Sequence, residues 1–149
     1  MNQNIFVTVG TTPFDELIKY VDKEILDKKI ICQISNFAKY KPKNHKYFNF
    51  IENIEDYYNW ADLIICHAGA GTVYKLLEMR KKIIIIPNTY RVDKHQIDLS
   101  EFVRKKKYAL VCNDISRLKY IIRQSNEFMP KQFLEKKFFV TDEILRLFL

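Results

Sequence analysis

Glycine is nearly missing from this chain: Gly10, Gly69 and Gly71 are the whole complement in 149 residues, where average usage is about 7%. Cysteine is equally sparse. Cys32, Cys66 and Cys112 form no C-x-x-C pair, and each sits in or at the end of an apolar, strand-like run. That pattern excludes a disulfide framework and reads as buried thiols in a reducing compartment. The three histidines, His45, His67 and His95, are scattered without a ligand pair, so no metal site is expected. No apolar run approaches the ~20 residues that span a bilayer. Met1-Asn2-Gln3-Asn4 has no basic stretch before the first strand, and no signal peptide is expected there. Internal repeats and low-complexity linkers are absent as well.

What remains is ordinary for one globular domain, with 48% hydrophobic and 29% charged residues. The formal charge of +7 is compatible with nucleic acid, an anionic membrane surface or a phosphorylated substrate. Its lysines are spread over Lys39–Lys43, Lys81-Lys82, Arg104–Lys107 and Lys136-Lys137. No nucleic-acid-binding signature accompanies them, so nucleic acid is not an expected partner. Solvated surface is the plain reading of this charge, and a membrane-facing patch is its rival.

Apolar runs at 5–9, 30–34, 47–51, 63–66, 83–86 and 108–111 read as strands, and helical spacing fills the intervals. Ile83-Ile84-Ile85-Ile86 is apolar at every position, as a sheet covered on both faces requires. The alternation predicts an α/β fold with a doubly wound, Rossmann-like parallel sheet. Thr12-Pro13-Phe14-Asp15 carries a capping-box pattern for the first helix, with Thr12 as cap and Pro13 in the first turn. Asp93 and Asp114 are expected to open later helices. Residues 1–125 are taken as the ligand-binding domain. The apolar end, 126–149, is expected to dock on a partner or back on its own domain, with Thr141 or Asp142 capping a last helix.

All three glycines fall at predicted strand-to-helix turns. Such turns use glycine for its positive φ, or because backbone must approach a ligand closely. A helix N-terminus just beyond offers unpaired N–H groups and the positive end of a dipole, which suits phosphate. Two turns of this kind suggest a diphosphate. Neither loop is GxGxxG, no acidic residue ends the second strand, and no GK[ST] occurs, which disfavours NAD and ATP.

His67-Ala68-Gly69-Ala70-Gly71-Thr72, followed by Pro87 and Asp93-Lys94-His95-Gln96, resembles the C-terminal half of family 28 glycosyltransferases, which bind a UDP-sugar. The opening Phe6 to Asp15 is similar to the small subunits that pair with a separate membrane-bound subunit. These occur in the two-component N-acetylglucosaminyltransferase of N-glycan assembly and in bacterial exopolysaccharide and capsule synthesis. The likeness covers roughly residues 4 to 112.

The resemblance implies the C-terminal lobe of a two-lobed GT-B enzyme that needs no metal or other cofactor. Gly10, Thr11, Thr12, Gly69, Ala70, Gly71 and Thr72 would cradle the donor diphosphate. Asp93, His95 and Gln96 would lie near the donor sugar or phosphates, and His67 would either contact phosphate there or buttress the loop. The implied partners are a UDP-sugar, a membrane-anchored acceptor-binding subunit and a lipid-linked saccharide. The implied reaction is inverting transfer of a hexose (galactose, glucose or N-acetylglucosamine) at the inner face of the membrane. No residue of this chain stands out as the general base, which the partner would supply.

Two departures mark the sequence. Lys75 stands where the family usually has a glutamate that holds the ribose hydroxyls, and Glu78 is the nearby carboxylate on the nucleoside side. Glu78-Met79-Arg80-Lys81-Lys82 replaces a stretch that usually contains glycine. A non-catalytic basic binding module, or a degenerate glycosyltransferase subunit, is the alternative.

Overall fold

A computed structural model of the chain describes residues 3–88 and 93–133. Six strands form one sheet: β1 (Asn4–Thr8), β2 (Lys29–Gln33), β3 (Lys46–Phe48), β4 (Leu63–His67), β5 (Ile83–Ile86) and β6 (Leu110–Val111). Their order is β3-β2-β1-β4-β5-β6, and every pairing is parallel. The order reverses between β1 and β4, which defines the switch point where open α/β sheets bind ligands.

Period-two alternation divides the strands between two cores. Val7, Ile65, Ile84 and Ile86 face one side and pack with α1 (Asp15–Glu24) and α5 (Leu118–Ser125). Phe6, Ile64, Cys66, Ile83 and Ile85 face the other. There they meet α2 (Ile54–Trp60), α3 (Ala70–Glu78) and α4 (Lys94–Lys105). Both faces are thus covered, which is why these strands contain no exposed alternate positions.

Several boundaries move from the sequence expectation. Thr12 does not cap the first helix, since α1 starts at Asp15 behind Phe14 without a side-chain cap. The Pro13 carbonyl instead accepts from Asn88 Nδ2 at 3.1 Å, and Asp15 Oδ2 accepts from Lys39 N at 3.1 Å. The turn is thereby spent reaching across the sheet. β3 stops at Phe48 because Asn49 gives its carbonyl to the Gln33 side chain. The loop before β3 is held by buried Asp22, whose carboxylate accepts from Tyr40 Oη, Lys43 N and Asn44 N. Burial pushes that carboxyl up, but these hydrogen bonds outweigh it and hold it below the usual range.

Among the described residues, two that are not glycine, Arg80 (φ 57°) and Lys107 (φ 59°), take the left-handed conformation. Each follows a helix in a Schellman turn. Lys81 N donates to Leu76 O after α3, and Tyr108 N donates to Val103 O after α4. Both turns grip residues 130–133. Lys131 N donates to the Lys107 carbonyl at 2.8 Å. The Gln132 amide oxygen, oriented as its partners require, accepts from Arg80 Nη1 and Nη2 at 2.9 and 2.7 Å. Phe133 is buried edge-on against Tyr74 and Tyr108. The start of the tail therefore packs on its own domain, and the helix expected from Thr141 or Asp142 lies outside the described residues.

Lys107 gives the latch only a backbone oxygen, whereas Arg80 gives a bidentate side chain. Lys107→Gly is accordingly expected to raise stability by about 1 kcal/mol through relief of the left-handed penalty. Arg80→Gly should show no such gain, because it loses the Gln132 bonds. Urea unfolding of the two variants checks this.

Candidate functional site

The carboxyl ends of β1 and β4 carry the two glycine turns, and His67 stands between them. Gly10 has φ +68°, the one glycine whose backbone requires it. A Cβ on Gly10 would come within 2.9 Å of His67 Cε1, and one on Gly69 would overlap His67 Nε2. Both glycines thus make room for the imidazole. Gly71 is different, since a Cβ there would meet nothing within 4 Å. Neither the turn nor the packing asks for glycine at that position.

Gly71 lies in the first turn of α3, behind an extended Gly69 cap that no side chain bonds. The first N–H groups of a helix have no partner within it, and here they open at the switch point. The start of α4 contrasts with this. Asp93 Oδ1 accepts from Gln96 N at 2.8 Å and so places the domain's own carboxylate on that helix end. One helix N-terminus is filled from within, and the other has no side-chain cap among the described residues.

Two cavities flank the uncapped end. The first, 280 Å³, is lined by Gly10, Thr11 and Thr72 together with Gln33, Asn36, Phe37, Asn49, Phe50, Ile51, Ile54 and Tyr58. Its wall is chiefly apolar, and Phe37 and Phe50 are 76% and 73% exposed at its edge. The second, 330 Å³, gathers Thr12, His67, Gly69, Ala70, Asp93, His95 and Gln96 with Ala68 and Asn88. The sequence-predicted residues therefore line one or other of these cavities, apart from Gly71, which lies between Ala70 and Thr72 in the first turn of α3, and Lys75 and Glu78 further along that helix, which line neither. Lys75 Nζ instead pairs with Glu55 at 2.9 Å.

Sequence reasoning missed the residues that hold the loops in place. Gln33 ends β2 almost fully buried. Its Oε1 accepts from Thr8 Oγ1, Val9 N and Gly10 N, and its Nε2 donates to the carbonyls of Gly10, Ile34 and Asn49. Asn88, also buried, joins the loop after β5 to Pro13, and its N donates to Gln96 Oε1 at 2.8 Å. The only advance signal is a polar residue at the carboxyl end of an apolar strand run: Gln33 within 30–34, and Asn88 two residues after Ile86.

Burial lowers the proton affinity of the His67 ring and outweighs the opposing pull of the Thr8 backbone. Nδ1 is buried without a hydrogen-bond partner. The ring is therefore neutral at pH 7 in the free protein, and a nearby anion would favour its protonation.

Residues 4–137 match the glycosyltransferase family 28 C-terminal domain. The chain belongs to that family. Among family 28 relatives, the human UDP-N-acetylglucosamine transferase subunit ALG13 is 30% identical over 122 residues, covering 72% of this chain. The chain spans only 11% of that relative's length. The solution structure of ALG13 superposes with a TM-score of 0.62 at 20% identity, covering 89% of this chain and 90% of the other. Acinetobacter baumannii MurG superposes with a TM-score of 0.70 at 20% identity, covering 98% of this chain and 52% of MurG. The family 28 fold is thus the Rossmann-like lobe of a GT-B glycosyltransferase.

Proposed function

We propose that this domain binds a UDP-sugar and is the donor-binding subunit of a two-component, inverting glycosyltransferase. The observation that carries the reading is the uncapped α3 N-terminus at Gly71, where the protein itself has no need of glycine. A ligand whose phosphates touch the backbone does need it. The chiefly apolar first cavity suits the base, the second suits the sugar, and the diphosphate spans the α3 end between them. Relatives named as UDP-N-acetylglucosamine transferase subunits support the same donor class.

In the transfer, an acceptor hydroxyl attacks the anomeric carbon from the face opposite UDP, and the bond from that carbon to the diphosphate oxygen breaks. Negative charge grows on the departing diphosphate. In this reading the N–H groups of Ala70, Gly71 and Thr72 and the α3 dipole would stabilise it. The acceptor proton needs a base. Asp93 is committed to capping α4, and we assign the base to a membrane-anchored acceptor-binding subunit. That partner would bring the domain to the cytoplasmic face of the membrane. The acceptor would be a lipid-diphosphate-linked saccharide in surface-polysaccharide synthesis, and the sugar galactose, glucose or N-acetylglucosamine.

Calorimetric titration of the purified chain with UDP-N-acetylglucosamine and with ADP-glucose tests the reading. Selective binding of the uridine ligand is expected, and it should tighten by about threefold to tenfold from pH 8 to pH 6. The sign follows from His67: its free-state proton affinity is depressed, the diphosphate raises it, and proton uptake favours binding as the pH falls. A UDP-sugar is the right probe because its esterified phosphates do not titrate there, unlike a terminal phosphate near pH 6. His67→Gln should flatten the dependence. Absence of uridine selectivity would favour the non-enzymatic binding module.

A further inference from the structure

We propose that the loop from Phe37 to Lys43 seats this domain directly on an anionic lipid surface. Phe37, with Phe50 beside it, enters the interface, and Lys39, Lys41 and Lys43 face the headgroups. The contact goes beyond the donor-site reading and does not depend on it.

Residues alternate between inside and outside along the loop after β2. Phe37, Lys39, Lys41 and Lys43 are exposed. Ala38 and Tyr40 pack on the core that α1 covers, and Pro42 is buried. One phenylalanine and three lysines thus share the solvent side. The backbone that carries them is pinned. Phe37 N donates to Ser35 Oγ at 3.1 Å, and that hydroxyl donates to the Thr11 carbonyl at 2.8 Å. Lys39 N donates to Asp15 Oδ2, and Lys43 N and Asn44 N donate to the buried Asp22 carboxylate. A connection between strands can be left mobile, whereas this one holds its outward side chains at fixed positions.

Phe37 and Phe50 both line the first cavity and are largely exposed at its edge, so the row begins at the site. Among the described residues none of the three lysines has an ion pair. The carboxylates beneath them, Asp15 and Asp22, receive the loop's own N–H groups. The chemistry of the row selects lipid over nucleic acid. Residues 36–50 hold four lysines and no arginine. Lysine is a compact, hydrated point charge that suits a diffuse sheet of headgroups, while arginine is the residue of planar, bidentate phosphate contacts. Apolar tips beside basic flanks bind a bilayer surface by buried apolar area together with attraction to anionic lipid. The charge is one-sided, since α2, which walls the same cavity, opens with Glu55 and Asp56.

Co-sedimentation of the full chain with lipid vesicles tests the contact. Binding is expected with phosphatidylcholine containing about 30% phosphatidylglycerol and not with phosphatidylcholine alone. It should weaken as salt rises from about 0.05 M to about 0.5 M. The triple variant Lys39→Gln, Lys41→Gln, Lys43→Gln should lose about thirtyfold or more, and Phe37→Ser about threefold to tenfold. The control Lys105→Gln, Lys106→Gln, Lys119→Gln removes three exposed charges elsewhere and should lose no more than about threefold. Circular dichroism verifies that the variants fold. Wild-type protein that ignores the anionic vesicles overturns the proposal, and so does binding that the loop variant keeps. Equal losses in both triple variants reduce the effect to net charge and overturn it as well. Tighter retention on polyuridylate than on vesicles, lost in the loop variant, would make the row a nucleic-acid surface instead. Calorimetry with UDP-N-acetylglucosamine, without lipid, reads the donor site separately. Absence of nucleotide binding there would overturn the donor site and leave the lipid contact standing.

Discussion

Gly71→Asp is expected to abolish UDP-sugar binding while leaving the domain folded. The fold tolerates the change because a Cβ at Gly71 meets open space and the backbone there is not left-handed. A carboxylate in the first turn of a helix is, if anything, mildly stabilising, by about 0.3–1 kcal/mol. It acts on the ligand in the opposite sense, since it occupies the dipole end and repels the phosphates. Two like charges a few ångströms apart at a partly desolvated surface cost several kcal/mol. A loss of at least a hundredfold, about 2.7 kcal/mol, is therefore the expected result. Thermal unfolding gives the control, and the melting temperature should stay within a few degrees of wild type. A folded variant with unchanged affinity would remove the diphosphate from α3 altogether.

The part of this molecule that was legible in advance is the part whose signal is local. Strands buried on both faces announce themselves as apolar runs, so the Ile83–Ile86 strand and the parallel sheet could be read directly. Asp93 caps α4 as expected, because an acidic residue at a helix entrance satisfies N–H groups two or three positions away; Asp114 instead caps a short 3-10 turn, Ile115–Arg117, and α5 follows from Leu118 without a side-chain cap. Thr12 carried an equally good local pattern and lost. The tie from Asn88 to Pro13 comes from a residue far away in sequence, and it draws the chain across the sheet before α1 can begin. The sequence pattern predicts strand through Ile51, yet β3 ends at Phe48 for a related reason, since the competing bond to the Asn49 carbonyl comes from Gln33. The glycines show both cases. Gly10 and Gly69 could be placed at turns from sequence, but their debt to the His67 ring appears only once two strands are side by side. The Glu55–Lys75 pair joins two helices that no periodicity connects.

Gln33→Leu is expected to produce the largest loss of stability of any single change near the site. The amide is an internal strut. It bonds Thr8 Oγ1 at 2.7 Å, Val9 N at 3.1 Å and Gly10 N at 3.0 Å through its oxygen. Through its nitrogen it bonds the carbonyls of Gly10, Ile34 and Asn49, each at 3.0 Å. Leucine fills a similar volume and returns none of these bonds. Each buried group left unpaired costs about 1–3 kcal/mol, although those at the cavity edge recover some of this from water. A net loss of about 3–5 kcal/mol follows, a large share of the 5–15 kcal/mol typical of a domain, and it should lower Tm by about 10 °C. Gln33→Glu separates the lost oxygen contacts from the lost nitrogen contacts. It keeps the acceptor but turns a second oxygen toward three carbonyls, which favours the protonated acid. The folded-state pKa of that glutamate would then lie above its unfolded value of about 4.3. Its stability should be near wild type in acid below that value and fall as the pH rises through the folded pKa, the reverse of an ordinary paired carboxylate. Chemical unfolding between pH 4 and pH 8 reads the slope directly. A flat profile, or a leucine variant as stable as wild type, would mean that the Gly10 turn holds its shape without Gln33.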